Sequence, residues 1–187
     1  MQIGFYFDQT RCTGCGACQV ACKDWNDIPA GAEKWMHLEY LEKGEYPQIF
    51  VSYLIGPCFH CLEPVCIPAC PVQALTKRDE DGIVVVDREA CLGKEACGTK
   101  CLKACPYDAP QFGPEAEAKM GKCDFCLERW QKNQMPVCVE ACPTRALEAG
   151  SLVELVSKFG EKQEAEGFKY SSRTKPAVIF KPKTSQP

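Results

Sequence analysis

The sequence predicts an α+β fold of two small related units, one inserted within the other, with an extra β-hairpin insertion and an extended C-terminal tail. Three observations predict it. Sixteen cysteines fall in four tight groups along 187 residues. Short β-branched or aromatic runs stand before two of the groups, at 4–8 and 83–87. A Cys-Pro-x-x-Ala-Leu segment occurs twice, at 70–75 and 142–147. The outer unit is assigned to 1–57 and 106–150, the inserted unit to 58–105, and a helix followed by a tail to 151–187.

The groups are Cys12-x2-Cys15-x2-Cys18-x3-Cys22, Cys58-x2-Cys61-x4-Cys66-x3-Cys70, Cys91-x5-Cys97-x3-Cys101-x3-Cys105 and Cys123-x2-Cys126-x11-Cys138-x3-Cys142. A protein this short and this rich in cysteine needs staples, either disulfides or metals. Spacings of two and three residues strain most disulfides within a group. Zinc prefers two C-x2-C pairs separated by a longer gap. The first group has the bacterial-ferredoxin spacing without deviation. There, three thiolates surround one [4Fe–4S] cubane and the fourth cysteine reaches the other cluster of a pair. Pro71, Pro106 and Pro143 follow the last cysteine of three groups. They are expected to open a helix at that point.

Sixteen thiolates serve four [4Fe–4S] clusters, so the groups pair. Between the second and third groups the sequence runs through Cys70-Pro71, Asp81-Gly82 and a β-branched run to Cys91, the pattern of one complete unit with a hairpin. The first group has a leading strand but no Cys-Pro tail, and the fourth has the tail but no evident leading strand. Asp8 precedes Cys12 by four residues, as Asp87 precedes Cys91. Groups one and four therefore complete each other, giving two nested bacterial-ferredoxin-like units. The expected ligand sets are Cys12, Cys15, Cys18 and Cys142; Cys123, Cys126, Cys138 and Cys22; Cys58, Cys61, Cys66 and Cys105; and Cys91, Cys97, Cys101 and Cys70.

Residues 23–57 carry three tyrosines, two tryptophans and a phenylalanine and read as two strands around Lys43-Gly44-Glu45. Such a hairpin covers a cluster, docks a partner, or does both. His60, between Cys58 and Cys61, is surplus to four thiolates and reads as a supporting or surface group. Apolar residues at 152, 153, 155, 156 and 159 suit a short amphipathic helix. The basic, proline-punctuated tail beyond it packs on its own domain or lies across a partner.

The net charge of −3 leaves no nucleic-acid footprint. Four cubanes with their thiolates would add roughly −8 when oxidised. Arg11, Lys23, Arg78, Lys122 and Arg129 lie near cysteines and are candidates to offset it, or plain surface cations. The longest aliphatic run, Ile83-Val84-Val85-Val86, is far below the ~18 residues of a membrane span. The first residues lack a signal-peptide pattern. The protein is thus expected in the cytoplasm by default, or exported as a passenger with its partner. No catalytic triad, phosphate loop or other cofactor fingerprint is present, so a non-catalytic role is expected.

The passages FDQTRCTGCGACQVACKD, PCFHCLEPVCIPACPVQAL, DGIVVVD, CPYDAPQFG, KCDFC, PVCVEACPTRAL and TKPAVIFKP together span nearly the whole sequence. They resemble the four-cluster iron–sulfur subunit of the dimethyl-sulfoxide-reductase family of molybdenum or tungsten enzymes. The resemblance implies electron relay to or from a large bis-pterin catalytic subunit, often with a membrane quinone-linked subunit or other redox partner. One departure is the widened third group, where Gly93-Lys94-Glu95-Ala96 is expected to loosen the loop. Transhydroxylase small subunits have a similarly odd third region. A free-standing polyferredoxin carrier and a small subunit of a transhydroxylase-like enzyme are the alternative readings.

Overall fold

The computed structural model describes residues 1–184; the last three residues assigned to the tail lie outside the described residues. Strand β1 (Ile3–Asp8) is buried along its whole length. It runs antiparallel to β6 (Leu147–Ser151), with Phe5 opposite Ala149 and Phe7 opposite Leu147. On its other edge it runs parallel to β7 (Val178–Lys181), with Phe5 opposite Val178 and Phe7 opposite Phe180. Side chains alternate across a strand. Ile3, Phe5 and Phe7 therefore enter the main core with Phe59, Ile83, Phe125 and Phe180. Tyr6 faces the other way, onto helix α7 (Leu152–Phe159), and its ring stacks on Phe159 at 3.8 Å.

A second pair, β4 (Leu75–Lys77) and β5 (Val84–Val86), is antiparallel and two-stranded, with Leu75 opposite Val86. The Asp81-Gly82 turn joins them, and Gly82 has a φ of 74°. The two strand pairs start alike: Asp8 N–H donates to the Ala146 carbonyl at 2.7 Å, and Asp87 N–H to the Ala74 carbonyl at 2.8 Å. Strands β2 (Leu38–Lys43) and β3 (Phe50–Ile55) form the hairpin expected in 23–57. Its turn is wider than expected, spanning 44–49, because Pro47 has no N–H to give a ladder.

The helices begin elsewhere than expected. Helix α1 (Ala17–Trp25) runs through Cys18 and Cys22. Helices α2 (Cys66–Ala69), α4 (Lys100–Ala104) and α6 (Val137–Glu140) lie before the fourth cysteine, not after the proline. Cys70 and Cys105 already have extended backbone. Proline stops the helix here, because it cannot continue one. Helix α3 (Lys94–Cys97) and helix α5 (Leu127–Trp130) complete the set among the described residues. No helix among these residues is long and apolar enough to cross a membrane.

The tail packs on its own domain. Its residues 174–177 exchange backbone hydrogen bonds with 59–63: Leu62 N–H and Glu63 N–H donate to Lys175 and Thr174, and Ala177 N–H donates to Phe59. Val178, Ile179 and Phe180 then go into the core as β7. The protein itself thus supplies a surface for the tail, through three buried apolar residues in a segment that reads as polar overall.

Candidate metal centre

All sixteen cysteines are among the described residues, and none is in a disulfide. Three of the expected thiol sets each line a cavity of their own. Cys12, Cys15, Cys18 and Cys142 meet beside Phe7, Leu38 and Ile55. Cys58, Cys61, Cys66 and Cys105 meet beside Phe59, Val84, Tyr107 and Lys122. Cys70, Cys91, Cys97 and Cys101 meet beside Leu75, Val86, Phe112 and Met120. The remaining four, Cys22, Cys123, Cys126 and Cys138, are all buried. They lie close enough for each to disfavour its neighbours' thiolates: Cys126 acts on Cys22, and Cys22 acts on Cys123 and Cys138.

Helical geometry brings each set together from two groups. Cys18 and Cys22 stand four residues apart on α1, about 6 Å along its axis. One meets Cys142 and the other meets Cys126. Helix α6 packs against α1 and carries Cys138. Helices α2 and α4 pack in the same way, with Cys66 and Cys101 on them and Cys70 and Cys105 just past their ends. The sets also neighbour one another, since Cys18 acts on Cys138 and Cys58 acts on Cys123.

The donors suit a polynuclear cluster. Burial pushes the thiols of Cys22, Cys61 and Cys66 up to about 12 and those of Cys18 and Cys101 up to about 11, with neighbouring thiols adding to the shift. Without a metal these groups stay protonated, and metal binding releases the protons. Among the described residues, no three His, Cys, Asp or Glu side chains converge where a single ion could sit. Each cavity set surrounds a space instead, as a cubane with four thiolates requires. Backbone amides point at the sulfurs: Ala146 N–H donates to Cys142 Sγ and Ala74 N–H to Cys70 Sγ, both at 3.3 Å. Phe125 N–H donates to Cys123 Sγ at 3.4 Å. At Cys142, burial raises the thiol's pKa, but the Thr144 hydroxyl and the amides of Ala146, Leu147 and Thr144 outweigh it and lower the net value.

The hairpin covers the first set. Leu38 and Ile55 line its cavity, and Tyr40 Oη donates to the Gly14 carbonyl at 2.8 Å. Gly14, at a φ of 72°, lies under the Tyr53 ring, which a Cβ would approach to 2.3 Å. The hairpin's far end is open: Tyr46 is 88% exposed, and Ile49 is exposed too.

The third-group insertion is not loose. Its residues form α3, and Lys94 and Glu95 N–H donate to the carbonyls of Ala118 and Ala116 at 3.0 Å. Lys94 Nζ donates to the Gly113 carbonyl at 3.3 Å. Gly93, at a φ of 97°, passes so close to Glu117 that a Cβ would sit 2.7 Å from its carbonyl oxygen. The extra residues thus serve as an anchor to 113–118.

His60 is buried, not on the surface. Val84 N–H donates to its Nδ1 at 3.0 Å. Burial first, then Lys122 and Lys77, push its pKa well below the ordinary value. Of the five cations named from sequence, Lys122 is buried against the thiols. Arg129 is paired with Glu140 at 2.6 Å and lies over the Trp25 ring, and Arg78 is paired with Asp81 at 3.1 Å. Lys23 Nζ donates to the Pro29 and Gly31 carbonyls, and Arg11 is exposed. Sequence reasoning missed Lys77, which donates to the Cys61 carbonyl at 3.1 Å, and Lys119, which donates to that of Cys91. No motif sets them apart from the other lysines, so only the fold marks them.

Comparisons with known proteins agree with this centre. Residues 49–152 match the 4Fe-4S dicluster domain model, and residues 4–24 match a 4Fe-4S binding domain model. The sequence is 40% identical to the B subunit of anaerobic dimethyl sulfoxide reductase from Escherichia coli (strain K12), over 97% of this protein and 89% of that one. It is 38% identical to the subunit of the same name from Haemophilus influenzae, over the same shares. It is 31% identical to the formate dehydrogenase-O iron-sulfur subunit of Escherichia coli (strain K12), over 95% of this protein and 64% of that one. The protein therefore belongs to the 4Fe-4S dicluster family, as an iron–sulfur electron-transfer subunit related to the B subunit of dimethyl sulfoxide reductase.

Proposed function

We propose that the protein holds four [4Fe–4S] clusters in two nested ferredoxin-like units and relays electrons, one at a time, to or from a molybdenum- or tungsten-bis-pterin catalytic subunit. The outer unit is 1–57 with 106–150, closed by the β1–β6 pair. The inserted unit is 58–105, closed by β4–β5. The observation that carries the count is the mixing of groups: Cys142 lines a cavity with Cys12, Cys15 and Cys18, and Cys70 with Cys91, Cys97 and Cys101. The ligand sets are then Cys12, Cys15, Cys18, Cys142; Cys22, Cys123, Cys126, Cys138; Cys58, Cys61, Cys66, Cys105; and Cys70, Cys91, Cys97, Cys101.

A bound cluster supplies a one-electron couple at each set. The protein's own residues do the rest. Thiolates hold the iron, amides from Ala74, Phe125 and Ala146 stabilise negative charge on sulfur, and apolar walls exclude water. The neighbouring of Cys18 with Cys138 and of Cys123 with Cys58 supports an order in which the 12/15/18/142 set comes first and the inserted unit last. The exposed Tyr46 and Ile49 at the hairpin tip favour a subunit over a free carrier, because aromatic residues are enriched and apolar surface is buried at interfaces. A membrane quinone-linked subunit is a further proposed partner.

The test is iron and sulfide analysis on anaerobically purified protein, with sizing of whatever complex it forms. About 16 iron and 16 sulfide per protein molecule are expected. A value near 12, or stoichiometric zinc, overturns the four-cluster reading. A monomer that keeps every cluster and is never found with a pterin subunit overturns the partner.

A further inference from the structure

We propose that Lys122 is a fixed internal cation that raises the reduction potential of the cluster held by Cys58, Cys61, Cys66 and Cys105 and, to a smaller extent, of the one held by Cys22, Cys123, Cys126 and Cys138. The inference rests on the four-cluster reading.

Lys122 is 1% exposed, and it is the only buried lysine or arginine among the described residues. It lines the cavity of the 58/61/66/105 set and is followed in the sequence by Cys123 of the neighbouring set. Its Nζ donates to the Val84 carbonyl and, at 2.8 Å, to the Cys123 carbonyl. No carboxylate pairs with it among the described residues, although surface lysines such as Lys43, Lys132, Lys158 and Lys175 each have one. A buried ammonium facing only carbonyl dipoles is unfavourable unless negative charge lies near. Four thiolates around an iron–sulfur core bring that charge to the cavity that Lys122 lines.

The cation is also held still. Both backbone polar groups of Val84 are engaged, since its carbonyl takes Lys122 and its N–H donates to His60 Nδ1 at 3.0 Å. An Nδ1 that accepts a hydrogen bond carries no proton, so the His60 ring is neutral and adds no second charge. Taking up an electron makes a cluster more negative, and a nearby cation favours that reduced form. The effect falls with distance and is strong where water is excluded, so it singles out the adjacent sets.

The test is a redox titration, followed by electron paramagnetic resonance, of the full-length protein in the complex in which it is expressed. It compares wild type, Lys122→Gln and Lys122→Arg, with exposed Lys132→Gln as a control. Gln keeps a donor for the carbonyls and removes the charge; Arg keeps both. In Lys122→Gln one midpoint potential is expected to move clearly to more negative values, a second to move less, and the remaining two to stay, with Lys122→Arg close to wild type. Unchanged potentials in Lys122→Gln, or an equal shift of all four, overturn the proposal. If Lys122→Gln instead holds one cluster fewer, full iron in Lys122→Arg supports the charge role, and the same loss in both variants overturns it by marking a packing role. Fewer than four clusters in wild type is the separate failure of the underlying reading.

Discussion

The strand pair that closes the outer cysteine groups and the pair that closes the inner ones begin from the same local pattern and end in different surroundings. Both place an aspartate N–H on an alanine carbonyl and an alanine N–H on the sulfur of the cysteine four residues before it. In the outer pair, β1 lies between β6 and β7 and is roofed by α7 through Tyr6 and Phe159. Asp8 there is buried, and its Oδ2 accepts from Lys181 Nζ at 3.2 Å. In the inner pair, β4 and β5 have no third strand among the described residues, and the equivalent Asp87 is exposed. The difference teaches that the repeated motif sets backbone and sulfur geometry, while a separate segment, the tail, decides how deeply that geometry is buried.

The sharpest way to break this comparison is to remove the added strand's contribution. Phe180→Ala, in the buried β7, is expected to destabilise the fold by about 3–5 kcal/mol. Val86→Ala, half-buried in the inner pair, is expected to cost about 1 kcal/mol. Thermal unfolding followed by both far-UV dichroism and cluster absorbance measures the two. Equal costs would show that β7 is an ornament on a self-sufficient sheet.

The aspartates sharpen it. Asp8→Asn is expected to cost about 1–3 kcal/mol, because it disturbs hydrogen bonds from Thr10 and Lys181 in a buried place. Asp87→Asn, at an exposed place, is expected to stay within about 0.5 kcal/mol. Burial raises the Asp8 pKa, but the Thr10 hydroxyl and amide and Lys181 outweigh it and hold the carboxyl below its ordinary 3.8. A lowered folded-state pKa contributes stability above the unfolded value, and that contribution is lost as pH falls through the folded one. The gap between wild type and Asp8→Asn is therefore expected to hold from neutral pH to about 5 and to shrink below 3.8. Melting curves across pH check the sign.

Next comes Gly93→Ala, which forces a φ of 97° on an alanine and drives its Cβ toward Glu117. A cost of about 1–3 kcal/mol is expected, with early loss of the cluster nearest Cys91, read as iron released on mild heating. The smallest stability effect belongs to the hairpin tip. Tyr46→Ala and Ile49→Ser are expected to leave the melting temperature of the protein unchanged and to weaken its association with a partner, read by co-purification yield. A fall in melting temperature instead would make the tip part of the fold.

The four thiol groups were legible in the sequence itself. The proposed pairing of groups rests on the split of motif halves: the leading strand before Cys12 lacked a tail, and the tail after Cys142 lacked a strand. The β5 run, the β2–β3 hairpin and the α7 stripe were legible from period and turn residues. The helix positions were misread because proline's meaning depends on its side of the helix: it is tolerated at a start and also stops an end, and spacing alone does not say which. The insertion at 93–96 read as slack because its partner, 113–118, is remote in sequence and carries no motif.

By itself the sequence determined the number of thiols, their division into halves and the local corners, since cysteine spacing, Asp-Gly turns and strand alternation act over a few residues. Only the tertiary structure decided that Val178–Lys181 becomes a core strand beside β1, that His60 and Lys122 hold the backbone N–H and carbonyl of the same buried residue, Val84, and that Asp8 is enclosed while Asp87 is not. Each of these depends on residues far apart in the sequence, and burial is a property of what comes to lie against a group, which no local pattern encodes.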